Sequence, residues 1–266
     1  MQQNIIGWEY KPLPYLLATT NLILHDIEIP NITFRDSLDK LLSEYREKDR
    51  VDVIEANPPF GGIVANNNEN NFPQNYRTKE SADLFLILMI HLLKIGGRAG
   101  IVLPDGSLTG DGVKQRVREK LLKDCRLHTI IRLPNSVFQP YATVATNLLF
   151  FDKMHHNNET SDFATQEVWY YEHRLPEGQK SYSKTKTIKE SEFDPIKEWW
   201  NNREESEVCW KVDIDTLRQR NFDLDIKNPN RTEEVIEHSS SELIENLSTS
   251  FHKAELLLLK MKEVVQ

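Results

Sequence analysis

Short apolar runs alternate with stretches of helical period between Asn31 and Lys153. The runs are Val51–Ala56, Arg98–Leu103, Leu127–Leu133 and Thr146–Phe151, and helical stretches at Ser81–Lys94 and Val113–Lys123 lie among them. Strands that are continuously apolar and separated by helices predict an α/β domain, with a largely parallel sheet covered on both faces. Gly96-Gly97 is the expected stop of the first helix, and Asp111 the expected cap of the second. The connection Pro134–Ala145 lacks the helical period that a parallel crossover needs, so the last strand, Thr146–Phe151, is expected to run antiparallel. Ahead of these elements a helix over Pro12–His25 and a short strand at Asn31–Phe34 are expected.

Beyond residue 153 the pattern changes. Residues 154–230 are charged and carry Trp169-Tyr170-Tyr171, Trp199-Trp200 and Trp210, with turn clusters such as Asn228-Pro229-Asn230. They read as extra strands and loops packed on the sheet, in preference to a separate subdomain. Residues 232–265 read as one long helix, because Ile244, Leu247, Phe251, Ala254, Leu258, Met261 and Val265 recur at alternating spacings of three and four. Such a seam either packs on its own domain or is presented to a partner. The expected organisation is a catalytic part over 1–153, an extension over 154–230 and a partner-binding helix over 231–266.

Composition narrows the function. The net charge of −8 comes wholly from residues beyond 153, because basic and acidic side chains balance before that point. A chain that grips duplex DNA alone normally carries a basic surplus, so any nucleic acid here would be held mainly by something else. No apolar run is long enough to span a bilayer, and Met1 opens a polar stretch without a secretory pattern. Cys125 and Cys209 lack the close Cys or His neighbours of a zinc site, so no metal is expected. They are expected to be buried thiols in a cytoplasmic protein.

One short string carries chemistry. Val51–Ala56 runs directly into Asn57-Pro58-Pro59-Phe60-Gly61-Gly62, at the carboxyl end of a strand, where open parallel sheets place their ligands. Proline rings fix the backbone and need no donor partner. The result is a stiff arm offering two acceptors, the Asn57 amide oxygen and the Pro58 carbonyl. Both can bind one planar NH2 group and favour a more nucleophilic nitrogen. Phe60 offers a stacking face for a base, worth roughly 1–3 kcal/mol.

This string resembles the catalytic motif of DNA amino-methyltransferases acting on adenine N6, and with its flanks it resembles the modification subunits of type I restriction-modification enzymes. Similar segments follow in the same order: Gly7-Trp8-Glu9, Asp36-Ser37-Leu38, Asp83-Leu84-Phe85, Gly96-Gly97-Arg98-Ala99, Thr143–Phe150 and Asn221–Asp225. The resemblance implies a partial Rossmann-like, S-adenosylmethionine-dependent methyltransferase sheet with a C-terminal extension and long helix. It implies Asn57, Pro58, Pro59 and Phe60 as catalytic, and Glu9, Asp36, Ser37, Leu38 and Asn57 as cofactor-binding. Glu9 would hold the ribose hydroxyls and Asp36 the adenine amine. Phe138 is either a wall of the target-base pocket or a plain core aromatic.

The family's Gly-rich cofactor loop, normally ahead of the acidic residue, has no counterpart in this sequence, and neither does its N-terminal helical domain. Glu55 also stands where the family has an apolar residue. The chain is therefore expected to be the C-terminal portion of a modification subunit in a bacterial or archaeal cytoplasm, unable alone to bind the cofactor tightly or to methylate DNA. Implied partners are the specificity and restriction subunits, a second modification subunit, and double-stranded DNA met through the complex with the target base flipped out. Alternatives are a truncated, non-catalytic assembly fragment, or a methyltransferase for another amine such as cytosine N4 or an amide.

Overall fold

A computed structural model describes residues 4–155, 162–231 and 240–265. It divides into two units, Met1–Asn230 and Arg231–Gln266.

The first unit is α/β. It opens with β1 (Ile6–Glu9), α1 (Pro12–Leu24) and β2 (Asn31–Phe34), and the two strands pair in parallel as a separate ribbon. Proline at the first turn of α1 suits a position whose N–H has no helical partner. A six-stranded sheet follows in the order β3-β4-β6-β5-β7-β8. Its strands are β3 (Val51–Ala56), β4 (Leu93–Pro104), β5 (Cys125–Leu133), β6 (Thr146–Lys153), β7 (Glu167–Glu172) and β8 (Cys209–Asp213). β3 is parallel to β4 and β5 to β7, while β6 runs antiparallel between β4 and β5. The Pro134–Ala145 connection is thus a return and not a crossover. β7 and β8 extend this same sheet, so the aromatic-rich segment contributes strands to it.

Alternation along β4 shows how the faces divide. Ala99, Ile101 and Leu103 are buried, whereas Arg98 is exposed and Gly100 and Val102 are half-buried. The buried set meets α2 (Ser81–Leu92) and α4 (Val113–Asp124) in the main core, with Leu84, Ile87, Leu121 and Leu122 at 0% exposure. On the opposite face a smaller core forms where Ile131, Tyr171 and Cys209 meet Ile196 of α5 (Asp194–Asn201). Burial raises the Cys125 thiol to about 12, and both cysteines are free and buried.

Three local expectations differ from the structure. The second face is not fully covered: over β3, β4 and β6 lies an open cleft of about 1060 Å³, lined by Val53, Glu55, Arg98, Val102 and Phe150 and walled by Trp200. The strand pattern reports apolar character but not which chain covers it. Helix α2 stops at Leu92, and Gly96-Gly97 lies inside β4 at an irregularity that shifts the β3 register between Val51 and Val53. A Cβ on Gly97 would sit 2.9 Å from the carbonyl oxygens of Asp52 and Lys94, so the glycine permits a close backbone approach. Asp111 does not cap α4. The cap position is Gly112, at φ 72°, without a side-chain hydrogen bond.

The sheet is followed by α6 (Ile214–Gln219), where Asp213 accepts from the Thr216 N–H as a true side-chain cap. A short helix, α3 (Asp105–Leu108), directly follows β4. The second unit contains α7 (Ser240–Val265). Residues 232–239 of the expected helix lie outside the described residues. Along its seam Ile244, Leu247, Phe251, Leu258 and Met261 are each 59–69% exposed. No helix among the described residues is long and apolar enough to cross a membrane.

Candidate active site

The carboxyl ends of β3, β4 and β5 and the start of β6 lie along one sheet edge, since Ala56 pairs with Ile101, and Thr146 pairs with both Pro104 and Leu133. Asn57-Pro58-Pro59-Phe60 leaves β3 at that edge. Pro58 is buried, Asn57 exposed and Phe60 half-buried. The arm is fixed from behind. The Pro59 carbonyl accepts from the Gly62 N–H and the Ser81 hydroxyl, both at 3.4 Å, and the Ser81 N–H donates to the Gly62 carbonyl at 3.0 Å. A Cβ on Gly62 would meet the Ser81 Oγ at 2.6 Å, so the helix start and the arm touch closely. Among the described residues, neither the Asn57 side chain nor the Pro58 carbonyl has a hydrogen-bond partner. Both acceptors are therefore available.

Phe138, from the Pro134–Ala145 connection, meets Phe60 edge-on with ring centroids 5.0 Å apart at 74°. Its loop is braced through Ser136, whose Oγ accepts from the Tyr182 N–H. Two aromatic rings thus converge beside the acceptor pair from segments far apart in sequence.

Glu9 ends β1 and Asp36 follows β2, and Glu9 is in register with Phe34. The two carboxylates therefore share one edge of the ribbon. Glu9 Oε1 accepts from the Lys11 N–H at 2.7 Å. Asp36 Oδ1 accepts from the Leu38 N–H at 2.9 Å, and its Oδ2 from Asn68 Nδ2 at 3.0 Å. Ser37 lies between them, and Leu38 is buried in the core. Asn71 donates to the Leu38 carbonyl. The 57–80 excursion, which starts at the arm, therefore reaches back to the Asp36 turn through Asn68 and Asn71. Sequence reasoning passed over both asparagines, because only the fold shows what they touch.

A polar cluster lies along the same sheet edge. Asn147 donates to Asp105 at 2.7 Å, and Arg132 pairs with Asp225 at 2.6 Å and with Asp105 at 3.6 Å. Thr109 donates to Asp223, and buried Arg118 donates to the carbonyls of Phe222, Thr109 and Gly110. The segments Thr143–Phe150 and Asn221–Asp225 are thus linked through Asp105 and Arg132, holding the chain end of the first unit against the edge. Asp83, in the first turn of α2, is 2% exposed, with Oδ2 lacking a hydrogen-bond partner. Burial pushes its carboxyl up to about 6, against partial relief from the Ser107 hydroxyl and Lys114.

The ribbon and the arm offer a carboxylate pair and an acceptor pair. Two carboxylates at a strand edge suit hydroxyl and amine donors, so the residues present fit the ribose and adenine end of S-adenosylmethionine. Among the described residues no glycine-rich turn accompanies them for its methionine end.

Comparison with known proteins fits this geometry. The profile of the N-6 DNA Methylase family matches residues 1–238. The methylase subunit of the type I restriction enzyme EcoEI from Escherichia coli is 49% identical over 94% of this chain and 50% of its own length. A modification subunit of a putative type I restriction enzyme from Vibrio vulnificus YJ016 superposes with a TM-score of 0.78 at 44% identity, covering 88% of this chain and 49% of that one. A chain from a structural study of type I restriction-modification complex assembly and conformational transition gives 0.77 at 31% identity, covering 98% and 54%. The chain spans about half the length of the curated relatives it matches. Because the profile covers most of the chain, the chain belongs to the N-6 DNA methylase family and is similar to type I methylase subunits.

Proposed function

We propose that this chain supplies the target-base portion of an S-adenosylmethionine-dependent adenine-N6 DNA methyltransferase working within a type I restriction-modification complex. The observation that carries the reading is the unpartnered acceptor pair of Asn57 and Pro58 beside the Phe60–Phe138 corner. A flipped adenine would stack on Phe60, with Phe138 closing the side. Its exocyclic amine would donate one N–H to Asn57 Oδ1 and the other to the Pro58 carbonyl. These bonds would draw the lone pair out of conjugation and make the nitrogen more nucleophilic. Glu9 and Asp36 would orient the cofactor from the ribbon, and the bound cofactor supplies the methyl group. The methylated amine is acidic enough to release a proton to water, so no strong base is required.

The open cleft and the bare ribbon support completion of the cofactor pocket by another polypeptide segment. Helix α1 has no buried residue, and Leu13, Leu16, Leu17 and Leu24 are each 59–76% exposed. In this reading the specificity subunit reads the sequence, and α7 is the docking element for it. Double-stranded DNA, the restriction subunit and a second modification subunit are met in the complex, in the cytoplasm.

The test pairs this chain with the half of the Escherichia coli relative that it does not match, and follows methyl transfer to adenine in duplex DNA. The isolated chain is expected to show no calorimetric binding of S-adenosylmethionine, whereas the pair methylates. Asn57→Ala is expected to cut the rate about 100-fold or more, in line with loss of a preorganised polar contact, while assembly persists. Full methylation with Asn57→Ala would instead favour the non-catalytic assembly reading, for which the exposed seam of α7 is the supporting observation.

A further inference from the structure

A second cleft, of about 510 Å³, lies at the other end of the strands. Its wall includes Arg50, the residue before β3, Asp124, the residue before β5, and Lys153, the last residue of β6. Because β6 runs antiparallel to its neighbours, these three positions mark the amino-terminal edge of the parallel strands, opposite Asn57. The cleft thus lies at the strand end opposite Asn57, shares Asn71 with the clasp on the Asp36 turn, and does not rest on the methyl-transfer reading.

Its floor is apolar: exposed Leu41 and Pro73 and half-buried Tyr76 offer the accessible surface, over buried Leu42, Phe72, Ile87 and Ile90. Its rim is cationic. Lys120 and Lys153 both reach Asp124 Oδ2, at 2.8 and 3.3 Å, so two ammonium groups share one carboxylate. Arg50 pairs with Glu47, whose side chain is 81% exposed and outside the cleft wall. The wall therefore holds three fixed cations against a single carboxylate. The rim lysines are 19–27% exposed at the side chain, held partly out of water, where charge counts for more than at a free surface. His91 also lines the wall, with the neutral polar Ser43, Asn70 and Asn71. Burial, with Arg50, Lys120 and Lys153 nearby, holds it below its ordinary value, so the imidazole is a neutral surface.

We propose that this cleft binds a small amphipathic anion, a flat apolar body carrying a phosphate or carboxylate head. The body would lie against Leu41, Pro73 and Tyr76, above the buried Leu42, Phe72, Ile87 and Ile90, and the head would bridge Lys120, Lys153 and Arg50. Size and composition match small-molecule sites, which join an apolar lining to a few fixed polar groups.

Phenyl phosphate serves as the probe, with inorganic phosphate and benzyl alcohol as its separated halves. Each is titrated into the isotope-labelled 266-residue chain and followed by amide chemical shifts. Saturable binding of phenyl phosphate is expected, at least about tenfold tighter than either half, because floor and rim contribute together. Asp124→Asn frees both lysines and is expected to tighten binding several-fold, a gain that misfolding cannot imitate. The triple change Lys120→Gln, Asp124→Asn, Lys153→Gln removes charge without stranding a carboxylate and is expected to abolish it. Phenyl phosphate binding no tighter than inorganic phosphate, or an Asp124→Asn protein that binds no better, overturns the proposal.

Discussion

Asp83 illustrates how much a single residue's role depends on burial. In sequence it is an ordinary acidic residue in a helix's first turn, a place that favours negative charge. In the fold it is 2% exposed with an unpartnered oxygen, and its carboxyl is raised to about 6. A raised carboxyl binds its proton more tightly folded than unfolded. Stability linked to it is therefore present below the ordinary value of 3.8 and is lost as pH rises through the window from 3.8 to about 6. Asp83→Asn should remove that loss. Denaturant unfolding at pH 4 and pH 8 is expected to show the variant gaining roughly 2 kcal/mol on the parent at the higher pH. An equal difference at both pH values would refute it. The Asn57–Phe60 arm, by contrast, is legible without the fold, because proline restricts its own backbone and that of the residue before it. The Ser81 clasp and the Asn68 and Asn71 contacts depend on atoms far away in sequence, so no local pattern announces them.

Elements follow their periodicity closely, and depart from it where backbones touch. The strands at Val51–Ala56, Leu127–Leu133 and Thr146–Phe151 appear within a few residues of expectation, since continuous apolar runs suit a buried sheet. Gly96-Gly97 is different. Glycine marks helix stops and also close approaches, and sequence cannot separate the two uses. Here the contact with Asp52 and Lys94 decides. Gly97→Ala is expected to cost about 1–3 kcal/mol in urea unfolding, because the obstructing atoms are backbone and cannot swing aside. A cost below a few tenths would show that β4 shifts freely. The α7 seam was equally legible, yet periodicity says only that one face is apolar and not what covers it.

At the scale of the whole molecule the dominant feature is apolar surface without cover. Leu13, Leu16, Leu17 and Leu24 of α1 are exposed together, beyond the scattered exposure normal for a soluble monomer, whereas the cleft over β3, β4 and β6 mixes Val53 and Phe150 with Glu55, Arg98 and Arg126. The pure chain is expected to bind an apolar fluorescent dye such as anilinonaphthalene sulfonate and to scatter more light per molecule as its concentration rises. Adding the half of the Escherichia coli relative that this chain does not match should suppress both. A monodisperse, dye-free chain would mean that these surfaces need no partner.

The sequence by itself determined the alternation of strands and helices, the antiparallel return of β6 and the rigid acceptor arm. Each depends on interactions between near neighbours: side-chain period, loop length, and the fixed torsion of proline. Only the tertiary structure decided that Phe138 meets Phe60, that the 57–80 excursion clasps the Asp36 turn, that Asp83 is buried, and that one sheet face is left open over β3, β4 and β6. Those features join residues tens of positions apart. Their energies depend on burial and on contact, which exist only once the chain has closed on itself.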